Sequence, residues 1–417
     1  MSSATQADSR PYDLVLFGAT SFVGRYIAEY LLGKTNENFK WALAGRNPGK
    51  LAALQRELSE KWPGARDVDT LVADAADAAA LQKMASQTKV VCTTVGPYAK
   101  YGEPLVEACI AAGTHYCDLT GEVQFMRRMM DRHHEAAKQK GVRIVHACGF
   151  DSIPSDIGTW VLQKEAQQKW GRFCDRVTLY VKSGQGGMSG GTLASGMNLV
   201  QESRDPEVRR WLADPYSLNP AESRSGRETK DALAPRFDPE LKAWALPFFM
   251  GPVNKRVVRR SHALAQKPYG EDFRYDEWMR TGKGMLARLA SWAIAGGTGL
   301  FFGAASVPPL RIAMEKFLLP APGEGPTRDK VESGYFAIEL IGRFDDDDKR
   351  AIRVRFRGNR DPGYGATAVM FAEAGLCLAL DQDRLKSPGG VLTPAFAMGE
   401  LLAERLRNTE CIEIEIA

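Results

Sequence analysis

Through residue 147 the chain alternates short apolar runs with stretches that are apolar on one face only. The run Asp13-Leu14-Val15-Leu16-Phe17 reads as a strand, and Val23, Ile27, Tyr30 and Leu31 recur at helical spacing over residues 22–32. The same logic predicts strands at 41–45, 70–73, 89–93, 115–117 and 143–147. Helices are predicted at 49–58, 78–84, 104–112 and 123–140. Regular alternation of this kind implies an α/β fold, with a parallel sheet covered by helices on both faces.

Beyond about residue 170 the pattern changes. Residues 176–182 alternate like a strand and lead into a Gly-rich run over 184–192, and residues 204–245 are polar and Pro-rich. Two further strands, 334–344 and 351–357, flank Asp345-Asp346-Asp347-Asp348, which reads as the solvated turn of a hairpin. Helices are expected at 366–380 and 394–406. The predicted organisation is a flexible N-terminus (1–12), then a Rossmann-like doubly wound parallel sheet (13–170). A mixed α+β substrate or dimerisation domain (171–385) follows, with a C-terminal helix and strand over 386–417.

Residues 289–310 carry no charge, and a run of that length is a transmembrane candidate by length alone. Glycines and serines dilute it, and Pro308-Pro309 close it. It reads as a buried helix pair of the second domain; a peripheral lipid-facing hairpin and the wall of an acyl-binding channel are the alternatives. A single crossing fits least, because it would strand the final helices across the membrane from the first domain.

The turn after the first strand reads G-x-x-S-x-x-G: Gly18, Ala19, Thr20, Ser21, Phe22, Val23, Gly24. A glycine turn between strand and helix lets backbone N–H groups and a helix N-terminus face a pyrophosphate. The second strand ends at Arg46, with Lys50 one turn on and no acidic residue beside them, which favours the 2′-phosphate of NADP(H) over the free ribose of NAD. The alternative is that both are ordinary surface charges. Asp74 and the run Thr94, Val95, Gly96, Pro97 follow the third and fourth strands, where such sheets bind ligands. Asp74 borders the adenine or caps the next helix, and the pattern leaves both open.

The 417 residues, 44% apolar with net charge +4, suit two domains and give no footing for nucleic acid. Seven scattered cysteines without a C-x-x-C imply a reducing compartment, and residues 1–12 lack a secretory apolar core, so a cytoplasmic location is expected. His115 and His146 fall in strand patterns. His133 and His134 are adjacent on a helix and point apart, so no metal is expected. Lys255-Arg256-Val257-Val258-Arg259-Arg260 is a solvated strand or loop, or a dock for an acidic acyl-carrier domain or an anionic lipid surface. The loop 184–191 is a connector or a cradle for a pantetheine phosphate.

The chain resembles the saccharopine dehydrogenase-like oxidoreductases, and within them the branch of trans-acting enoyl reductases. The blocks carrying this are GATSFVG (18–24), AGR (44–46), TTVGPYAKYGEPLVEAC (93–109), DLTGE (118–122) and ACGFDSIPSD (147–156), followed by SGGT (189–192), DPY (214–216), RVVRRS (256–261) and LTPAFAMGE (392–400). The resemblance implies NADPH-dependent reduction of a C=C bond on an acyl or polyketide intermediate in lipid or glycolipid assembly. The substrate would be carried by a partner synthase, the C-terminal helix and strand (386–417) would pack on the first domain, and a homodimer is compatible; residues 289–310 leave open a peripheral lipid contact at the inner face of the membrane. Such chemistry needs a hydride at the β-carbon, a stabilised enolate oxygen and a proton for the α-carbon. Tyr98 and Tyr101 are the candidates to donate, with Asp118, Glu122 and Asp151 on the next two strand-end loops to orient or protonate. The alternatives are that the tyrosines shape a turn and the carboxylates cap helices. A saccharopine-type amino-acid dehydrogenase and a non-catalytic lipid-surface protein are the other readings.

Overall fold

The computed structural model describes residues 10–417 except 36, 187–189, 229, 318–324 and 347–348. Its first sheet starts with six strands: β1 (Tyr12–Phe17), β2 (Trp41–Gly45), β3 (Asp69–Val72), β4 (Thr88–Thr93), β5 (His115–Asp118) and β6 (Arg143–Val145). The chain then passes through β7 (Arg176–Gln185), β8 (Arg236–Asp238), β9 (Ala243–Pro247), β10 (Arg274–Gly282), β11 (Tyr335–Arg343) and β12 (Ala351–Gly358). It ends with β13 (Gly390–Leu392) and β14 (Ile412–Ile416).

The first sheet runs β13-β6-β5-β4-β1-β2-β3, and every pairing in it is parallel. Strand order reverses between β1 and β4, so the crevice beyond their carboxyl ends is where a doubly wound sheet holds its ligand. Leu14 to Phe17 and all of β2 are buried, as a central strand covered on both faces requires. The second sheet runs β14-β12-β11-β7-β10-β9-β8 and is mixed: β7 and β10 pair in parallel, its other pairings are antiparallel.

The layers do not divide at residues 170 and 385. The helix Ile153–Trp170 packs on β11 and β12 of the second sheet, whereas Thr367–Leu380 packs on β1, β4 and β5 of the first. That last helix is apolar all round and nearly wholly buried, which suits a helix sandwiched between a sheet and other helices. At Gly375 an added Cβ would lie 2.3 Å from Cys92 Sγ, so glycine sets how closely this helix approaches β4. The fully buried Glu373 is held there by Lys34 at 2.7 Å and Arg405 at 2.9 Å.

Past this helix, β13 adds to the first sheet beside β6, with Val391 opposite Ile144. The helix Pro394–Arg407 packs against Thr367–Leu380 and Ile153–Trp170. The final strand departs from expectation: β14 lies on the second sheet beside β12, with Ile414 opposite Phe356. Its alternation buries Ile412 and Ile414, a one-sided pattern that suits the edge of the second sheet.

The uncharged segment also differs from the leading expectation. It forms a long helix, Gly284–Ser306, followed by Pro308–Phe317, and most of its length is exposed rather than buried. Among the described residues, four helices of the second half escaped the sequence reading: Gly190–Glu202, Pro206–Ala213, Gly251–Leu264 and the short Arg328–Ser333. Residues 1–9 of the expected flexible terminus, residues 187–189 of the Gly-rich loop and Asp347-Asp348 of the acidic turn lie outside the described residues.

Candidate cofactor and active site

At the switch point the chain leaves β1 through Gly18, whose φ of +86° belongs to the left-handed region glycine tolerates. A Cβ there would lie 2.5 Å from Thr94 Oγ1 and 2.9 Å from Val95 Cγ2, so the β1 turn and the β4 loop need this glycine to close together. Ser21, where a glycine is more usual, caps the helix Phe22–Gly33: its Oγ accepts from Gly24 N–H at 3.0 Å. The same Oγ lies 2.8 Å from Thr94 Oγ1, and Thr94 in turn donates to Gly18 O at 2.9 Å. The serine side chain is thus turned toward the β4 loop. The Phe22 and Val23 N–H groups have no acceptor among the described residues, as befits the first turn of a helix. They and the positive end of the helix dipole are suited to hold a pyrophosphate.

Arg46 follows β2 directly, is exposed, and has no ion pair among the described residues. Lys50 is exposed on the first turn of Pro48–Lys61, which Asn47 caps by accepting from Lys50 N–H at 2.9 Å. A Cβ on Gly45 would lie 3.9 Å from Thr20 Oγ1, which puts the end of β2 beside the glycine turn. Two uncommitted cations at this strand end fit an adenosine 2′-phosphate. Asp74 accepts from Ala76 N–H at 2.9 Å in the turn after β3, while Asp77 caps the helix Ala78–Ala85. Ala19 and Thr20 complete the turn, and Phe22 packs edge-on against Tyr364 from the second half, with centroids 4.5 Å apart.

After β4, Val95, Gly96 and Pro97 remain at least partly exposed and lead to the short helix Tyr98–Tyr101. Tyr98 has a task other than the one expected. It is buried, its hydroxyl donates to Thr93 O at 3.2 Å and accepts from Leu119 N–H at 3.2 Å, so both capacities of the phenol are spent inside the fold. Tyr101 is 44% exposed, with no hydrogen bond to its phenol among the described residues.

Glu122 is buried beneath this loop and organises it. Oε1 accepts from Tyr98 N–H at 2.9 Å and from Ser195 Oγ at 2.8 Å, and Oε2 accepts from Ala99 N–H at 2.9 Å. Burial nevertheless leaves its pKa above the usual carboxylate value. Asp118 is likewise committed inside. Fully buried at the end of β5, it binds His146 Nδ1 at 2.7 Å, Tyr116 Oη at 2.8 Å, and the Thr120 and Ala147 N–H groups at 3.1 Å. It ties the β5 loop to the β6 loop. His115 is a core residue whose Nδ1 accepts from Arg143 N–H.

Asp151 differs from both. It sits in the loop between β6 and Ile153–Trp170, partly exposed, with no hydrogen bond to its carboxylate among the described residues, and burial pushes its pKa up to about 6. The neighbouring residues fix its loop. Phe150 N–H donates to Thr367 Oγ1 at 3.1 Å, and Ser152 Oγ donates to Asn254 Oδ1 at 2.9 Å. Asn254 Nδ2 then donates to Glu277 Oε2 at 3.0 Å, and Tyr275 Oη to Glu277 Oε1 at 2.7 Å. Sequence reading missed this second-half support, since Asn254, Glu277 and Thr367 carry no local signal of it.

The basic run is neither a solvated strand nor a docking surface. Lys255 through Arg260 lie buried on the helix Gly251–Leu264. Arg256 pairs with Asp231 at 3.1 Å and donates to Leu212 O at 2.6 Å; Arg259 pairs with Glu228 at 2.6 Å. These cations clamp the polar 212–231 stretch to the body, so their charge is spent internally. Glu103, Glu107 and His133 from neighbouring helices also come together, with ligand atoms within 4.8 Å, a grouping the His133–His134 argument overlooked. Glu103 is already paired there with Arg132 at 2.9 Å and with His133 at 3.0 Å.

The saccharopine dehydrogenase NADP binding domain matches residues 14–145. A Mycobacterium tuberculosis protein provisionally named a trans-acting enoyl reductase is 44% identical over 413 residues, 96% of each chain. Trans-acting enoyl reductases of Mycobacterium ulcerans and Mycobacterium bovis are 41% and 40% identical over 98% and 95% of this chain, covering 98% and 96% of their own. Among solved structures, apo saccharopine dehydrogenase (L-Glu forming) of Saccharomyces cerevisiae superposes with a TM-score of 0.54 at 13% identity. That match covers 97% of this chain and 99% of the yeast one, and it speaks for the fold alone.

Proposed function

This chain belongs to the trans-acting enoyl reductases, NADP-dependent oxidoreductases with a saccharopine dehydrogenase NADP binding domain, and from that premise we propose that it reduces the C=C bond of an apolar acyl or polyketide thioester. The observation that carries the reading is Asp151, whose carboxyl has no hydrogen bond among the described residues and is lifted by burial to about 6 at the carboxyl ends of the parallel strands. The other acids of that edge, Asp118 and Glu122, are consumed in holding loops.

Bound NADPH supplies the hydride for the β-carbon. The C=C π pair then moves toward the thioester carbonyl, whose oxygen carries the enolate charge until the α-carbon takes a proton. Asp151 delivers that proton as a general acid and regains one from water, and a pKa near 6 keeps it part-protonated near neutrality. Tyr101, whose partly exposed phenol on the β4 loop has no hydrogen bond among the described residues, would donate to the enolate oxygen. Glu122 and Tyr98 hold that loop in shape, and the Ser21–Thr94 pair fixes the turn that receives the pyrophosphate. Supply of the substrate on an acyl-carrier domain, in lipid or glycolipid assembly, belongs to the same proposal.

An amino-dicarboxylate substrate fits less well, because Arg256 and Arg259 are already paired with Asp231 and Glu228. The test is titration with NADPH and NADH, followed by turnover of enoyl thioesters of increasing chain length and of saccharopine. NADPH-selective binding with turnover of the thioesters is expected. Turnover of saccharopine alone, or binding without any turnover, overturns the proposal.

A further inference from the structure

We propose that the helices Gly284–Ser306 and Pro308–Phe317 form a docking face for the surface of an anionic lipid bilayer. The first helix is 23 residues long, about 34 Å at the usual rise, yet it turns little of its apolar surface inward. Met285, Leu286, Leu289, Trp292, Leu300 and Phe302 are between 47% and 83% exposed. A soluble domain rarely leaves so continuous an apolar face to water without an occupant.

Charge selects the occupant. From Trp278 to Met314 there is no Asp or Glu, whereas Arg280, Lys283, Arg288 and Arg311 are all basic. Arg288 lies over the Trp244 ring at 5.4 Å, beside the helix start. An apolar helix face whose own stretch, residues 278–314, carries cations and no acid matches the acyl boundary and phosphate headgroups of an anionic membrane. A second copy of this chain fits less well. A two-fold contact would set the cations Arg280, Lys283 and Arg288 of both copies around one interface, and the stretch 278–314 itself brings no acid to it.

The helix lies along the domain and does not leave it. Ala287, Ser291 and Ala305 form its buried side, and it packs on β9 and β10. Ser291 Oγ lies 2.7 Å from Thr281 Oγ1, and Arg204 donates to Ser306 O at 3.2 Å, so both ends are tied to the same body. That arrangement places the helix in the plane of the bilayer surface, one apolar face down. Its other neighbour is the helix Gly190–Glu202, whose Ser195 reaches Glu122 beneath the β4 loop. A membrane-borne apolar chain would therefore be one helix away from the candidate site.

Flotation of the full chain with phosphatidylcholine vesicles, with and without phosphatidylglycerol, tests this. Binding is expected only where phosphatidylglycerol is present, and it should weaken with added salt. The variant Leu289→Glu/Trp292→Glu/Leu300→Glu should lose it while keeping NADPH affinity, which certifies the fold. Replacing Arg280 or Lys283 by Gln should weaken vesicle binding about fivefold each. No flotation, or flotation that neither phosphatidylglycerol nor these variants change, overturns the proposal. So does a dimer in vesicle-free solution that the triple variant dissociates, since the face would then be a protein interface.

Discussion

The hydroxyls of Ser21 and Thr94 lie 2.8 Å apart, and through them the turn after β1 is fastened to the loop after β4. The serine satisfies a helix N–H that a glycine at the same place would leave to water or ligand. A phosphate-facing turn is in this way stiffened before any cofactor arrives. Thr94→Val removes the donor to Gly18 O and the Ser21 partner together. It should cost about 1–3 kcal/mol in urea unfolding and raise the NADPH dissociation constant, whereas Thr94→Ser should keep both near wild type.

Arg46 is an exposed guanidinium at the end of β2, with no ion pair to lose among the described residues. Arg46→Ala should weaken NADPH binding about tenfold to a hundredfold, the worth of a charged hydrogen bond to phosphate, and leave NADH binding nearly unchanged. Parallel fluorescence titrations decide it: equal losses for the two cofactors would place the 2′-phosphate elsewhere.

Tyr98 and Asp151 should separate cleanly under substitution. Tyr98→Phe loses two internal hydrogen bonds and should lower stability by about 1–3 kcal/mol with the turnover rate preserved. Asp151→Asn should keep NADPH affinity and the folded state but lower kcat by about a hundredfold to ten-thousandfold. A general acid with a pKa of about 6 is active when protonated, so wild-type kcat should fall as pH rises through 6 and the variant should lose that limb. A kcat for Asp151→Asn within twofold of wild type, at about the resolution of such assays, would remove Asp151 from the mechanism.

Glu277 and Asp156 should take stability away as pH rises between about 4 and 7, opposing the gain from His115 and His262, whose pKa values burial lowers to about 3 and about 4. Burial raises Glu277 and Asp156 to about 7, above the values they take in an unfolded chain. The folded protein thus holds protons that the unfolded chain releases from about pH 4 upward. Their contribution is whole below the unfolded pKa, shrinks as pH rises, and is gone above the folded pKa, a change on the order of a few kcal/mol. Urea unfolding of wild type and Glu277→Gln at pH 5.5 and 8 checks it: on going from pH 5.5 to 8 the variant should lose less stability, or gain more, than wild type.

Much of the first sheet is legible in the chain because its cues are local. The apolar runs at β1, β2 and β4 needed only their own side chains to be seen, and Gly18 to Gly24 announced a strand–turn–helix by composition. The helix Thr367–Leu380 was equally visible as a helix, but its apolar surface all round does not say which sheet it covers. The basic run around Arg256 shows the opposite failure. Four cations in six residues resemble a solvated face until Asp231 and Glu228, distant in sequence, close over them.

What the sequence by itself determined is the parallel αβ order of the first half, the glycine turn and the cation after β2, because hydrophobic period and turn chemistry act over a few residues. Tertiary structure alone decided that Tyr98, Asp118 and Glu122 face inward, that the Asp151 carboxyl makes no hydrogen bond among the described residues, and that the 284–306 helix stays on the surface. Those outcomes depend on which distant donors and which apolar surfaces meet when the two sheets pack, and burial of a polar group is settled only by the partner that arrives.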